Sequence, residues 1–281
     1  MRRAILLLSC LGLGACTFEP GQGFAVVEPT VRAAFEPLAD RTTPDGYQQL
    51  ASNYQVHVAG ASLRLSGIEL VAFAGGSGGG FNPANPPPGY SLCHGGHCHR
   101  DDGALIPYEQ IAAEAGGGGG SSTVVTMPVA GPLNLLAAER FAVECLPDCA
   151  LPQTNVSQGR WGIESLNLEG TVRDARVPAR FPGERRFRWV LSRASTGDAP
   201  AAVLDGTVDL PSDRSTPPRA KLDLNLVLTA RLFDAVDWST LTQGSDGVVE
   251  INGDSNAEVH AALKERLATV SPEAEVTRGE R

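Results

Sequence analysis

The chain has 281 residues, enough for one large domain or two small ones. It carries 32 Asp and Glu against 23 Lys and Arg, a formal net charge of −9. That balance argues against nucleic acid as a partner, because phosphate contacts need clustered Lys and Arg. The one basic cluster, Arg180 to Arg193, alternates with apolar residues and reads as the outer face of a strand.

The first residues, MRRAILLLSCLGLGAC, have a basic start (Arg2, Arg3), an apolar run from Ala4 to Leu13 and small residues before Cys16. This is a signal-peptide plan, with a run too short for a membrane-spanning helix. Leu13-Gly14-Ala15-Cys16 resembles the lipobox of bacterial lipoproteins. The resemblance implies removal of residues 1–15 and lipid on the thiol and N-terminus of Cys16. Cys10 would leave the apolar core too short. Thr17 follows the lipidated position, where lipoproteins kept at the inner membrane tend to have Asp. The resemblance therefore implies an outer-membrane protein, held to the membrane through its lipid. Loss of Arg2 and Arg3 takes the formal charge from −9 to −11.

Residues 16–51, with Pro20, Pro29, Pro37 and Pro44, read as a tether leading into an early strand or short helix. Residues 52–270 read as a single antiparallel β-sandwich, mainly β, interrupted by a loop insertion at 74–122 and closed by a C-terminal helix. Tyr54, Val56 and Val58 begin a strand whose alternation slips near Gly67, which suggests a bulge. His57 falls on its polar phase, either solvated or facing the later loop. After the insertion, 123–129 reads as a strand. Further period-two runs follow at Leu166 to Val172, Phe187 to Leu191, Leu204 to Leu210 and Leu222 to Leu228. Such alternation means one packed face and one wet face. Several such strands separated by turn clusters suggest a sandwich. Arg231 to Leu241 reads as a helical turn whose Phe233, Val236 and Trp238 cover an open edge. A final helix, capped by Asp254 or Ser255, puts Val259, Leu263 and Leu267 on one face. His260 beside that face reads as solvated. Residues 271–281 read as a charged, frayed tail.

The insertion carries the chemistry. Glycine tracts at Ala74 and Gly116 bracket YSLCHGGHCHRDDGALIPY, Tyr90 to Tyr108. A short helix is expected from Pro107 to Glu114. Cys93, Cys98, Cys145 and Cys149 are an even number of cysteines in an oxidising compartment, which argues for disulfides. Four cysteines allow three pairings; the local one, Cys93 with Cys98 and Cys145 with Cys149, is the simplest.

His94, His97 and His99 supply imidazoles, and Asp101 and Asp102 supply nearby oxygens. Imidazoles suit copper or zinc. With the cysteines oxidised, the expected site is three histidines and a carboxylate on a disulfide-braced loop. Cys93-x4-Cys98-His99 also resembles an expanded attachment motif of c-type cytochromes. That resemblance implies two thioethers to haem c and His99 on the iron. Against it, the usual spacing is two residues and the surroundings are not helical. The competing class is a structural or protein-binding lipoprotein whose loop meets a partner and holds no metal. No G-x-S-x-G elbow and no phosphate-binding glycine loop is present, so the reading leans against an enzyme. Asp234 and Asp237 beside Trp238 are the one pair of neighbouring carboxylates with a conceivable acid–base role, and capping or solvation explains them more simply.

Overall fold

The computed structural model describes residues 25–73, 86–94, 97–108, 110–111, 121–151, 156–193, 199–210 and 219–278. The signal peptide, Cys16, Thr17 and both glycine tracts lie outside the described residues. So does the far part of the helix expected after Pro107; Tyr108, Gln110 and Ile111 have helical backbone.

Two strands form a spine. β3 (Tyr54–Phe73) runs antiparallel to β11 (Val156–Asp174) along nearly their whole lengths. The slip in the β3 pattern has a physical origin. Leu63 and Leu65 point into the core, and so do Ile68 and Leu70, one residue out of phase. The pairing shifts there, with Gly162 opposite Gly67 and Ile163 opposite Leu65, so one extra residue on β3 restores the apolar face. Further along, a side chain at Gly170 would put its Cβ 2.0 Å from the His57 carbonyl, so this close approach of the two strands requires glycine.

On one side of β11 lie β12 (Glu184–Ser192) and β13 (Ala202–Leu210). Beyond β12 is β15 (Val248–Ile251), parallel to it. On the far side of β3 lie β2 (Gln48–Gln49), β7 (Ser121–Met127) and β8 (Pro132–Asn134). The opposing sheet is built on β1 (Ala25–Glu36) and β14 (Arg219–Thr229), paired in parallel over eleven residues of β1. β9 (Arg140–Ala142) and β10 (Ala150–Leu151) flank β1, and β16 (Glu273–Arg278) flanks β14. The fold is therefore mainly β and sandwich-like, with most pairs antiparallel and two parallel among the described residues. Leu222, Leu224, Leu226 and Leu228 from one sheet meet Leu63, Leu70, Trp161, Leu168 and Trp189 from the other in one continuous core. On one side the sheets are stitched together, where Ser271 Oγ donates to the Asp205 carbonyl at 3.2 Å.

Four expectations are corrected. The segment read as a tether leading into an early strand is mostly that strand: β1 fills Ala25–Glu36, and its Val27 and Val31 are fully buried. Pro29 disguises it in the sequence. The strand accepts Pro29 because that residue falls between the β10 pairing at Val26 and the β9 pairing at Thr30. The supposed frayed tail contains β16, in which Ala274 and Val276 pack against the core while Glu273, Glu275 and Thr277 face out. The final helix, α1 (Ala257–Ala268), starts after Asn256 rather than Asp254 or Ser255. Asn256 uses its side chain elsewhere, donating to the Thr242 and Glu250 carbonyls at 3.1 and 2.7 Å. Leu263 and Leu267 are buried as the periodicity requires. His260 is half-buried and engaged rather than simply solvated: its Nδ1 accepts the Trp189 indole N–H at 3.3 Å, and burial lowers its pKa, with Lys264 nearby adding to the effect.

The expected turn at Arg231 is a 3-10 turn over Ala230–Phe233. Phe233, Val236 and Trp238 are all buried in the core, which fits the expectation that they cover apolar surface.

Candidate functional site

The insertion folds into a small sheet of its own. β4 (Tyr90–His94) pairs with β5 (His97–Arg100), and β5 pairs with β6 (Leu105–Pro107), all antiparallel. The turn between β5 and β6 is set by Asp101-Asp102-Gly103-Ala104. Gly103 has φ +85°, a left-handed conformation that glycine adopts without cost. Asp102 Oδ1 accepts the Ala104 amide at 3.0 Å, and its Oδ2 accepts two bonds from Arg100, at 2.7 and 2.9 Å. The Arg100 guanidinium holds the Asp102 carboxyl below the usual carboxylate range, with the Ala104 amide helping. The Asp101 amide donates to the Gly89 carbonyl at 3.0 Å, tying the turn to the start of β4.

Cys93 and Cys98 are joined by a disulfide across the β4–β5 pair. Cys145 and Cys149 form the second. Both local pairings are as expected. With both sulfurs so engaged, Cys93 and Cys98 have no thiol to form thioethers to a haem.

Alternation along β5 then decides which side chains share a face. Cys98 is fully buried against Ile106, Tyr108 and Ile111, with Tyr90, Cys93 and Ala104 packed beside them. His97 and His99 take the opposite face. Their rings lie 5.7 Å apart, tilted by 47°, and both residues are half-buried. Residues directly opposite one another in an antiparallel pair project to the same side. Leu105 is opposite His99 and Pro107 is opposite His97, so these two also belong to the histidine face. Leu105 is 57% exposed. His94 stands opposite His97 in the backbone register; its side chain lies outside the described residues.

The structure thus brings together His97 and His99 and engages Asp102 with Arg100. Among the described residues, no group of three or more His, Cys, Asp or Glu is close enough to hold a metal ion. The 5.7 Å separation of His97 and His99 is the spacing of neighbouring side chains on one face of a strand. Sequence reading missed the small core behind the histidines. Its signal was present in the phase of Cys98 and Ile106 against His97 and His99.

His57 lies on β3, in the main sheet. It is exposed, with its ring 5.6 Å from Tyr47 beside the β2–β3 turn. Asp234 and Asp237 are anchors. Asp234 accepts two bonds from Arg41, at 2.7 and 3.0 Å, and the Ala51 amide at 3.0 Å. Asp237 accepts the Tyr54 hydroxyl at 2.5 Å, the Ser239 hydroxyl at 2.7 Å and Arg180 at 2.9 Å. These donors, the Tyr54 hydroxyl first, pull the Asp237 carboxyl from 3.8 to about 2.

A folded pKa below the unfolded one adds stability that is fully present above the unfolded value and is lost as pH falls through the folded value. Asp237 therefore stabilises the fold above pH 3.8 and ceases to do so as pH falls to about 2. Its side chain is 45% exposed, so solvent screening reduces the contribution to about 1 kcal/mol. D237N should lose about that much at pH 7 and nothing further near pH 2, read from urea melts at both pH values. An equal loss at both would refute the assignment.

No protein-family model, curated protein or solved structure matches this chain.

Proposed function

We propose that this is a lipid-anchored outer-membrane lipoprotein that binds a transition metal, copper or zinc, through the histidines of the disulfide-closed hairpin. The observation that carries the metal reading is the side-by-side placement of His97 and His99 on one face of β5. His94, opposite His97 in register, is the candidate third ligand. Asp101 and Asp102 in the adjoining turn are the candidate oxygens, and Asp102 would have to leave Arg100 to take part. A second observation supports the exported location: the two disulfides need an oxidising compartment. The Leu13-Gly14-Ala15-Cys16 pattern supports the lipid.

The fold also fits an anchor at Cys16. Ala25 pairs with Leu151, and Val156 pairs with Ala72, near the end of β3 where the insertion departs. Five residue steps from Leu151 to Val156 span at most about 18 Å of chain. The start of β1 and the stem of the insertion therefore share one end of the sandwich, so a lipid on Cys16 would hold the hairpin near the membrane.

Metal analysis of the tag-free protein tests the reading. Copper or zinc should co-purify or be taken up on titration, and the H97A/H99A variant should bind at least tenfold more weakly. A wild-type protein that takes up neither metal, or a variant that binds as well as wild type, rules the reading out. Mass spectrometry of the membrane-extracted protein, showing Cys16 as N-terminus with its lipid, tests the anchor.

A further inference from the structure

The outer face of the main sheet is hollowed where β11, β3 and β8 run side by side. The cavity has a volume of about 360 Å³, at the small end of the range for small-molecule sites, and is open to solvent on one side. All of its lining residues are among the described residues. Strand register builds it. Asn167 on β11 is opposite Ser62 on β3, and Ser62 is opposite Asn134 on β8. Residues directly opposite on antiparallel strands project to the same side, so these three form one polar row. Two residues along β11, Glu169 is opposite Gly60. A Cβ at Gly60 would lie 2.6 Å from Glu169 Oε1, so the glycine leaves the space into which the carboxylate folds.

The row presents donors. Asn134 Oδ1 accepts the Leu136 amide at 3.0 Å, which leaves its NH2 group to donate. Asn167 Oδ1 is buried, which leaves its NH2 group towards the cavity. Ser62 adds a hydroxyl, which both donates and accepts. Glu169 supplies acceptor oxygens to the same cavity. Arg188 approaches Glu169 only to 3.7 Å and bonds instead to Glu250 at 3.1 Å, so the half-exposed Glu169 carboxylate keeps its lone pairs for a ligand. Leu136 and Pro132, both exposed, add an apolar wall.

We infer that this cavity binds a neutral hexose unit, free or as part of a glycan. A sugar hydroxyl both donates and accepts, so neighbouring hydroxyls donate to Glu169 and accept from Asn134 and Asn167. The C–H surface of the ring lies against Leu136 and Pro132, removing apolar area from water. Charge favours a neutral ligand. An anion would meet the Glu169 carboxylate, and a cation would meet the Arg188 guanidinium beside it. The site is separate from the histidine hairpin, so it stands or falls independently of the metal reading.

The test is calorimetric titration and saturation-transfer NMR of the full-length, tag-free chain in a detergent without a sugar headgroup. The probes are D-glucose, D-galactose and D-mannose, each followed by a disaccharide that ends in the same hexose. At least one hexose should bind saturably. A disaccharide that binds more tightly than its hexose identifies a glycan as the source, and one that is refused identifies the free sugar. E169A and L136A change exposed positions, so their thermal melts should match wild type. Each should weaken binding about tenfold, the equivalent of one lost hydrogen bond or a lost apolar contact. No saturable binding of any of the three hexoses overturns the inference. Binding undiminished in both variants places the sugar elsewhere and also overturns it. D-glucosamine bound far more tightly than D-glucose, and released by E169Q, would make this a site for cationic amines and overturn the neutral class.

Discussion

Replacing Trp238 by alanine should cost the sandwich about 3–5 kcal/mol, the range for deleting a large buried aromatic. Trp238 belongs to no strand or helix, yet it is fully buried. Its ring lies 5.0 Å from Phe187 and 5.7 Å from Phe233, and Phe233 in turn meets Phe187 edge-on at 5.4 Å. These three rings close the end of the core where β12, the 3-10 turn and the following loop converge. Removing one leaves a cavity walled by the other two, and neither can move without leaving its own contacts. A thermal melt should show the midpoint falling by roughly 10 °C for a domain of this size.

A paired variant separates packing from polarity. The Trp238 indole N–H is buried and has no hydrogen-bond partner among the described residues. Phenylalanine removes that unsatisfied donor while retaining much of the ring, so W238F should lose only about 1 kcal/mol. Equal losses for W238A and W238F would show that something other than ring packing holds this end.

The strands were legible where one face is apolar and the other polar without interruption. β14 is the best case: Leu222, Leu224, Leu226 and Leu228 are all buried, and Lys221 is exposed. The signal failed where a strand is broken by a residue read as a loop former or is too charged to look packed. β1 contains Pro29, and β16 has only Ala274 and Val276 to pack inward. Parallel pairing was illegible altogether, because the partners of β1 and β12 lie far off in sequence and alternation says nothing about direction. For the hairpin, the disulfide and the histidines could be read directly. Their separation onto opposite faces is a signal of one short alternation, because β5 is a strand of only four residues. His260 was misread for a related reason. It sits at the border of the apolar stripe of α1, and only the position of Trp189 on β12 shows that its nitrogen is in use.

Removing the Cys93–Cys98 disulfide by the C93A/C98A double substitution should unfasten the hairpin without melting the sandwich. The reason lies in how the buried side chains divide. Cys98, Ile106, Tyr108 and Ile111 form a cluster separate from the main core. Four buried side chains are far too few to order a segment of this length unaided. Closing a loop with a sequence separation of 5 contributes about 2 kcal/mol by the chain-entropy account. Because the hairpin's buried cluster is separate from the main core, that loss falls on the hairpin and not on the sandwich. The midpoint of global unfolding should therefore stay within about 2 °C of wild type. Amide exchange in β4, β5 and β6 should meanwhile lose its protection, since local opening no longer costs the loop entropy. If the histidines are metal ligands, the ion must then order the strand that carries them. The same 2 kcal/mol or so appears as roughly a 30-fold loss of zinc affinity. The C145A/C149A variant is the matched control, because that bond closes a loop beside β10 and has no part in the hairpin. Zinc affinity unchanged in C93A/C98A, or reduced equally in both variants, would mean that the disulfide does not position the histidines.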